Sequence, residues 1–281
     1  MNIYPPGISL KKQAKLKIIL LTKTFSGREK LLTVKTHGIV LAQIPLSAED
    51  KKLIILTPDM GLIEAVAKNT KSIRSKLSAA CEVLAYSEFC LFKGKSGYIV
   101  NSADLENNFY HLREDLSNLS LAGYFCELTR FVMPTEDNSD EILSLLMNTL
   151  FLLENKKRSL SFLKAVFELR LLSLSGFAPD LFECCICGCD IEEDVYFLPV
   201  EGRLICKDCL SKNPYNNTKI LLPLSIKKAM EFVITADKSK IFSFKLNDEG
   251  EKFLENVSES FALYHIGGNF KSLDFYKSIK T

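Results

Sequence analysis

The chain has 281 residues, of which 47% are hydrophobic and 25% charged, as in globular proteins with room for roughly two or three small domains. Its apolar runs are shorter than the roughly 20 residues that span a membrane, and no convincing secretory signal is found, so we expect no membrane association. Nine cysteines without such a signal indicate the cytoplasm. The net charge of only +2 indicates no class of partner.

Residues 1–35 are strongly basic, although the whole chain is not. They hold eight Lys or Arg residues and one acid, Glu29, so they carry +7 and the remainder carries −5 (2 − 7). The turn-forming sequence Tyr4-Pro5-Pro6-Gly7 precedes most of these charges. We predict an N-terminal extension, which is a disordered tail, a nucleic-acid-binding arm or residues upstream of the true start codon.

Residues 36–103 have the pattern of a small all-β domain. Five apolar or β-branched runs are separated mostly by turn-forming residues such as Pro45, Pro58 and Gly94. Five short strands in so few residues, closed on themselves, predict an OB-fold barrel. The five predicted strands are Ile39 to Ile44, Leu53 to Thr57, Gly61 to Ala67, Ala80 to Phe92 and Tyr98 to Asn101.

The connector between the third and fourth predicted strands is basic and contains no acid. Its cations can contact the phosphates of single-stranded nucleic acid on such a barrel, although a solvated basic loop has the same composition. Phe89, Phe92 and Tyr98 can stack on bases, or they can pack in the barrel core. The candidate DNA-binding residues are Lys68, Lys71, Arg74 and Lys76.

Residues 104–281 are predicted to be helical. Leucine stripes at helical spacing run from Leu112 to Cys126 and from Leu160 to Leu174. Gly176 and Pro179 end the second stripe, and helical periodicity resumes after Pro223. The three histidines lie outside any recognisable nucleophile motif, and no carboxylate pair has an apolar setting, so we predict a protein that is not an enzyme.

Six cysteines lie between residues 184 and 209, and four of them form two C-x2-C pairs with eighteen residues between the pairs. This spacing is typical of a structural zinc site with four thiolates and no open position for water. The glycine at position 188 favours Cys184 and Cys187 as the first pair, although Cys185 and Cys189 can compete. The predicted Zn²⁺ ligands are Cys184, Cys187, Cys206 and Cys209.

Other interpretations of the cysteines remain open. A disulfide needs an oxidising compartment, and a redox dithiol needs only one C-x-x-C, placed where a helix opens after a strand. The remaining cysteines, Cys81, Cys90 and Cys126, lie in apolar surroundings and are expected in the core.

The order of these elements, together with short motifs, resembles the RecO family of bacterial recombination mediators over about residues 36–281. The strongest similarity is the cysteine module with its lead-in, Leu172 to Leu181, and weaker similarities are Thr36 to Leu41, Ala122 to Leu128 and Leu263 to His265. Pro58 to Leu62, Ala67-Lys68 and Arg74 to Leu77 resemble another family stretch, in which Asn69 replaces a glycine. Lys271 to Leu273 is a further match. The family generally lacks the 35-residue extension.

The resemblance implies an α+β multidomain fold: an OB-fold over 36–103 and a helical domain over 104–281 with a zinc module inserted at 180–215, which here follow the extension predicted over 1–35. It also implies a non-enzymatic repair protein that binds single- and double-stranded DNA, anneals complementary strands and acts near the nucleoid. Its implied partners are RecR, the C-terminal tail of single-stranded DNA-binding protein and, indirectly, RecA. Two other functions remain open: a dithiol oxidoreductase, and a zinc-ribbon scaffold without a DNA role.

Overall fold

The computed structural model describes residues 32–70, 77–94, 97–133, 139–212 and 217–280. The predicted extension up to residue 31 therefore lies outside the described residues. Two compact units divide the chain, one ending at Met147 and the other starting at Asn148. No helix in the described part of the chain is long and apolar enough to cross a membrane.

The first unit contains a closed five-stranded barrel. Its strands follow one another around the barrel in the order β1, β2, β3, β5, β4, and β4 pairs with β1 to close it. All neighbours are antiparallel except β3 and β5. The OB-like barrel predicted from the strand pattern is confirmed. The strands are β1 (Leu32–Pro45), β2 (Lys51–Thr57), β3 (Gly61–Ala67), β4 (Tyr86–Gly94) and β5 (Gly97–Asn107).

The first strand closes the barrel because it is long enough to pair on both sides. Its first half pairs with β4 up to Ile39, and its second half pairs with β2 from Ile39 onward. An irregularity between Val40 and Ala42 bends the strand where it changes partner. Alternate side chains of the strands point inward and fill the barrel with a core that includes Val40, Leu53, Ile55, Ile63, Phe89, Leu91 and Val100.

The fourth strand was predicted too long. Residues from Ala80 onward were expected to be extended, but Leu77–Ala80 form the short helix α1, and β4 begins only at Tyr86. The intervening turn has Leu84 at φ 72°. Ala80, Cys81, Leu84 and Ala85 are buried. Their unbroken apolar character gave no sign of the turn, because buried helix, turn and strand residues share the same composition.

Two helices follow the barrel, and the second continues past Met147, where the first unit ends. A 3₁₀ turn (Tyr110–Glu114) precedes α2 (Leu116–Val132), and the Asp115 carboxylate accepts hydrogen bonds from two backbone N–H groups at the start of α2. Helix α3 (Asp140–Glu154) begins after Ser139, whose N–H donates to the Pro58 carbonyl and whose hydroxyl donates to the Thr57 carbonyl. Ser139 thus fixes the start of α3 to the end of β2.

The second unit contains helices and a small sheet. Helix α4 packs against α6 and α7, and the sheet has the order β6, β8, β7, β9. The helices are α4 (Leu160–Leu174), α5 (Lys207–Lys212), α6 (Leu224–Thr235), α7 (Asp248–Ile266) and α8 (Lys271–Ile279). The strands are β6 (Asp180–Cys184), β7 (Val195–Leu198), β8 (Arg203–Ile205) and β9 (Ile220–Leu222). The helical stripes predicted at α4, α6 and α7 are confirmed.

Helix α4 is buried on all sides, which a stripe on one face does not predict. Lys164 and Glu168 lie one turn apart in it, both with fully buried side chains, and their charged atoms are 2.8 Å apart. Lys164 also contacts Glu259 of α7 at 2.9 Å. Desolvation alone would lower the pKa of Lys164, but the charges of both carboxylates raise it above its usual value. This ion network links α4 to α7.

We expect Gly38→Ala to destabilise the barrel by about 1–3 kcal/mol, because a methyl group there overpacks the contact between β1 and β2. Its Cβ would lie 2.6 Å from the Ile55 side chain and 2.9 Å from the Leu56 carbonyl oxygen. The matched control is Gly123→Ala in α2, where no atom lies within 4 Å of the added methyl group. Thermal denaturation should show a lower Tm for the first variant alone, and equal Tm values would contradict this packing.

Removal of the buried cation should destabilise the second unit. Lys164→Ala leaves Glu168 buried without its nearest positive charge, and we expect a loss of about 3–5 kcal/mol. Lys277→Ala is the control, because Lys277 contacts the same Glu259 from a half-exposed position, and it should cost less than about 1 kcal/mol. Urea denaturation followed by the helical circular dichroism signal measures both. Similar losses in the two variants would show that burial does not set the strength of the network.

Candidate metal centre and nucleic-acid interface

The first cysteine pair lies in a tight backbone turn at the end of β6. The Gly188 N–H donates to the Cys184 carbonyl at 2.9 Å, and the Cys184 N–H donates to the Cys189 carbonyl at 3.0 Å. Gly188 has φ 68°, a left-handed conformation that costs glycine little. The sequence argument from this glycine is supported by the observed turn, which carries Cys184, Cys187 and Cys189.

The second cysteine pair lies where β8 leads into α5. Cys206 directly precedes the helix, and its carbonyl accepts from the Leu210 N–H at 3.0 Å. Backbone N–H groups point at sulfur atoms of both pairs: that of Cys206 lies 3.4 Å from Cys184 Sγ, and that of Cys209 lies 3.4 Å from Cys206 Sγ. This pair does open a helix after a strand, as a redox dithiol would, but α5 has only six residues and the first pair faces it.

The sulfur atoms of the two pairs meet at one point. In the described part of the chain, Cys184, Cys187, Cys189 and Cys206 form a group whose sulfurs all lie within 4.8 Å of one another. Cys187 Sγ and Cys206 Sγ are 3.9 Å apart. Four sulfurs placed tetrahedrally at the usual Zn–S distance are separated by roughly 3.8 Å. The cluster therefore fits a zinc ion held by four thiolates.

Cys209 lies next to this cluster. It stands in the first turn of α5, and its N–H donates to Cys206 Sγ at 3.4 Å. Of the predicted ligands, Cys184, Cys187 and Cys206 are thus brought together with each other, and Cys209 is held beside Cys206. The set of four that binds metal stays a prediction, because Cys189 occupies a place that the C-x2-C spacing did not indicate.

The electrostatics of the cluster favour the thiolate form of Cys184 and Cys187. Desolvation raises the pKa of Cys184, but the backbone N–H groups that point at its sulfur outweigh this effect and lower the pKa to about 6. The backbone N–H of Cys189 lowers the pKa of Cys187. Thiolate is the form that binds metal, so both sulfurs are prepared for a cation.

The other cysteines lie outside the group. Cys185 adjoins Cys184, but its N–H donates to the Leu204 carbonyl at 2.8 Å, and desolvation raises its pKa. Burial raises the pKa of Cys81 and of Cys126 to about 12, which suits unreactive core thiols. Both were predicted in the core. Cys90 is only half-buried, on the wall of the barrel, so its predicted core position is wrong.

The helices of the second unit hold the sheet that carries the cysteines. Lys227 of α6 donates to the Ile191 carbonyl at 3.1 Å, and Asp194 accepts from the Leu224 N–H at 2.9 Å. From α7, His265 Nε2 donates to the Pro199 carbonyl at 3.1 Å, and Phe261 packs against Phe197. The loops on both sides of β7 are therefore fixed to α6 and α7.

The basic connector of the barrel starts after β3, and only its first residues are described. Lys68 is exposed, whereas Lys71, Arg74 and Lys76 lie outside the described residues. Asn69 has φ 55°, the left-handed conformation that asparagine tolerates. Its N–H donates to the Asp50 carboxylate at 3.1 Å, which fixes the start of the connector beside the loop between β1 and β2.

Several cations on the barrel wall are already paired with carboxylates. Lys35 contacts Glu88, Lys51 contacts Glu82 and Lys52 contacts Glu64, at 3.1 to 4.0 Å. Lys68 makes no ion pair with a described residue. The connector therefore differs from the wall, because its own sequence contains no acid to neutralise its cations.

The aromatic residues near the last hairpin differ in their exposure. Phe89 is fully buried in the barrel core, so it is not available to stack on a base. Tyr98 is half-buried, with its hydroxyl 3.8 Å from Met60 Sδ and the Lys93 ammonium 6.0 Å from its ring centre. Phe92 is half-buried as well.

Two family models match the chain, and together they cover both units. The model described as "Recombination protein O N terminal" matches residues 31–109, and the model described as "Recombination protein O C terminal" matches residues 113–274. The second match alone covers more than half of the chain. The chain belongs to the RecO family.

Individual RecO proteins show the same relationship over most of their length. The "DNA repair protein RecO" of Acetivibrio thermocellus is 33% identical over 248 residues, which are 88% of this chain and 97% of that protein. The protein of the same name from Alkaliphilus metalliredigens is 32% identical over 249 residues, 88% of this chain and 100% of that protein. That of Dehalococcoides mccartyi is 34% identical over 218 residues, 76% of this chain and 83% of that protein.

Loss of a sulfur at the centre of the cluster should release the metal. We expect wild-type protein to carry about one zinc per chain, and Cys206→Ser to carry much less and to become sensitive to protease between β6 and β9. Cys90→Ser removes a half-buried thiol from the barrel and should keep the metal. Elemental analysis and limited proteolysis measure both effects. A metal-free wild-type protein with reactive thiols would instead support the redox dithiol.

Proposed function

We propose that this RecO-family chain is a non-enzymatic mediator of DNA repair and recombination, which binds single- and double-stranded DNA and anneals complementary strands. The observation that carries the proposal is the acid-free basic connector on a closed five-stranded barrel whose wall pairs several of its cations with carboxylates. Barrels of this class commonly bind nucleic acid. Lys and Arg side chains that contact phosphates release the counterions condensed on the nucleic acid, which favours binding. The proposed DNA-contacting residues are Lys68, Lys71, Arg74 and Lys76.

The proposed role of the metal is structural. Zn²⁺ bound by Cys184, Cys187, Cys206 and Cys209 would have four protein ligands and no position for water or substrate. It would supply cross-links between the turn after β6 and the turn after β8. The cysteines would thus hold the module rigid, and α6 and α7 would fix the loops of the same sheet.

The proposed partners follow from the family. RecR is the proposed direct partner, and the acidic, apolar C-terminal tail of single-stranded DNA-binding protein is the proposed peptide ligand. RecA would then be loaded on the DNA from which that protein is displaced. The proposed place of action is the cytoplasm, at the nucleoid, where these DNA substrates arise.

Removal of the connector's charge should weaken DNA binding without unfolding the barrel. We expect the variant with Lys68, Lys71, Arg74 and Lys76 all changed to Ala to bind a fluorescent single-stranded oligonucleotide more weakly. If the four residues neutralise four phosphates, the slope of log affinity against log salt should fall in magnitude by about 3. Fluorescence anisotropy over a range of salt concentrations measures this slope, and an unchanged Tm shows that the fold is intact.

A charge-matched control separates local contact from a general effect of net charge. Four exposed lysines of the second unit, also changed to Ala, reduce the net charge by the same amount and should leave the salt slope nearly unchanged. Strand annealing should likewise be weakened in the connector variant and nearly unchanged in the control variant. If the control loses DNA binding and the connector variant keeps it, the proposed DNA site is wrong and the contact lies in the second unit. The control residues are Lys228, Lys238, Lys240 and Lys245.

A further inference from the structure

The metal centre has one more thiol than a tetrahedral zinc site uses. Cys184, Cys187 and Cys206 belong to two possible sets of four. Cys189 completes a set with mutual sulfur distances within 4.8 Å, and Cys209 completes the two C-x2-C pairs, with its N–H 3.4 Å from Cys206 Sγ. A zinc ion bound by three sulfurs shared between the sets therefore has two candidates for its fourth ligand.

The position of Cys189 is set by the backbone. Its carbonyl accepts from the Cys184 N–H at 3.0 Å, and the next residue, Asp190, forms a β-bridge with Glu183. Cys189 is thereby held beside Cys184 while its own side chain is exposed. Cys209 is held from the other side, because its N–H donates to Cys206 Sγ at 3.4 Å in the first turn of α5.

We infer that Cys189 and Cys209 are interchangeable fourth ligands of one metal centre. The inference rests on the proposed zinc site and assigns to this chain a fifth thiol that the two C-x2-C pairs do not include. Cys185, although adjacent to Cys184 in sequence, belongs to neither set, because it is outside both C-x2-C pairs and outside the group of close sulfurs.

Exchange between the two ligands needs neither an oxidant nor a change of charge. One metal–sulfur bond forms and one breaks. The thiol that binds loses its proton, and the thiolate that leaves takes one up, so every sulfur keeps its oxidation state. Zinc has no geometric preference from its d electrons, and both arrangements offer four sulfurs, so the coordination number stays constant. At any time, one of these two thiols is not bound to the metal.

Single and double variants of the full-length protein test the inference through the number of thiolates on the metal. Cobalt(II) replaces zinc, and the intensity of its sulfur-to-metal charge-transfer absorption reports how many thiolates bind it. We expect Cys189→Ser and Cys209→Ser each to keep one metal per chain and a four-thiolate spectrum. The double variant should lose one thiolate. Cys185→Ser is the matched control and should leave the spectrum unchanged.

The outcomes distinguish failure of this inference from failure of the zinc site. If Cys209→Ser alone gives a three-thiolate spectrum and Cys189→Ser does not, Cys209 is the sole fourth ligand and the exchange is wrong. The reverse pattern makes Cys189 the sole fourth ligand and also overturns the exchange. Wild-type protein that binds neither zinc nor cobalt would overturn the metal centre itself. The comparison of the two single variants is decisive even if the double variant does not fold.

Discussion

The cysteine-bearing sheet is held by the meeting of its sulfur atoms as well as by its strands. Its four strands are only three to five residues long, and β6 pairs with β8 at just two positions, Asp180 with Arg203 and Cys184 with Leu204. So short a ladder contributes few hydrogen bonds, although its apolar side chains, such as Phe197, Leu204 and Leu222, are fully buried. The sulfurs of Cys187, in the turn after β6, and of Cys206, between β8 and α5, are 3.9 Å apart, and that contact joins the two cysteine pairs.

The two units differ in whether their cores contain charged side chains. The barrel needs no buried charge, because closure pairs every strand with two neighbours and alternate side chains fill its interior. The second unit instead surrounds one helix, α4, and tolerates two charges inside it because Lys164 is held by two carboxylates. Its rigidity therefore depends on complete pairing of that network, and the same helices, α6 and α7, fix the loops of the cysteine-bearing sheet.

The sequence predicted those elements whose residue pattern occurs in only one kind of secondary structure. Apolar or β-branched runs at β2 and β3 and the leucine stripe of α4 predicted the barrel and the central helix. The turn before Tyr86 was missed, because its residues are apolar in every conformation. The burial of Lys164 and Glu168 was also missed, since charged residues four apart normally indicate a solvated face. Cys189 was considered only together with Cys185, as a pair that competes with Cys184 and Cys187, because no linear spacing shows that Cys189 folds back beside Cys184.

The distribution of charge shows why net charge misleads for this chain. The formal value of +2 is a difference between 36 basic and 34 acidic residues. On the barrel wall the two signs meet as ion pairs such as Lys52 with Glu64, and a phosphate would have to displace the carboxylate to bind there. The connector after β3 starts at a fixed point, where Asn69 is bound by Asp50, and continues without an acid. An argument for nucleic-acid contact therefore has to start from the local balance of charge, and the acid-free sequence of the connector favours it over the wall.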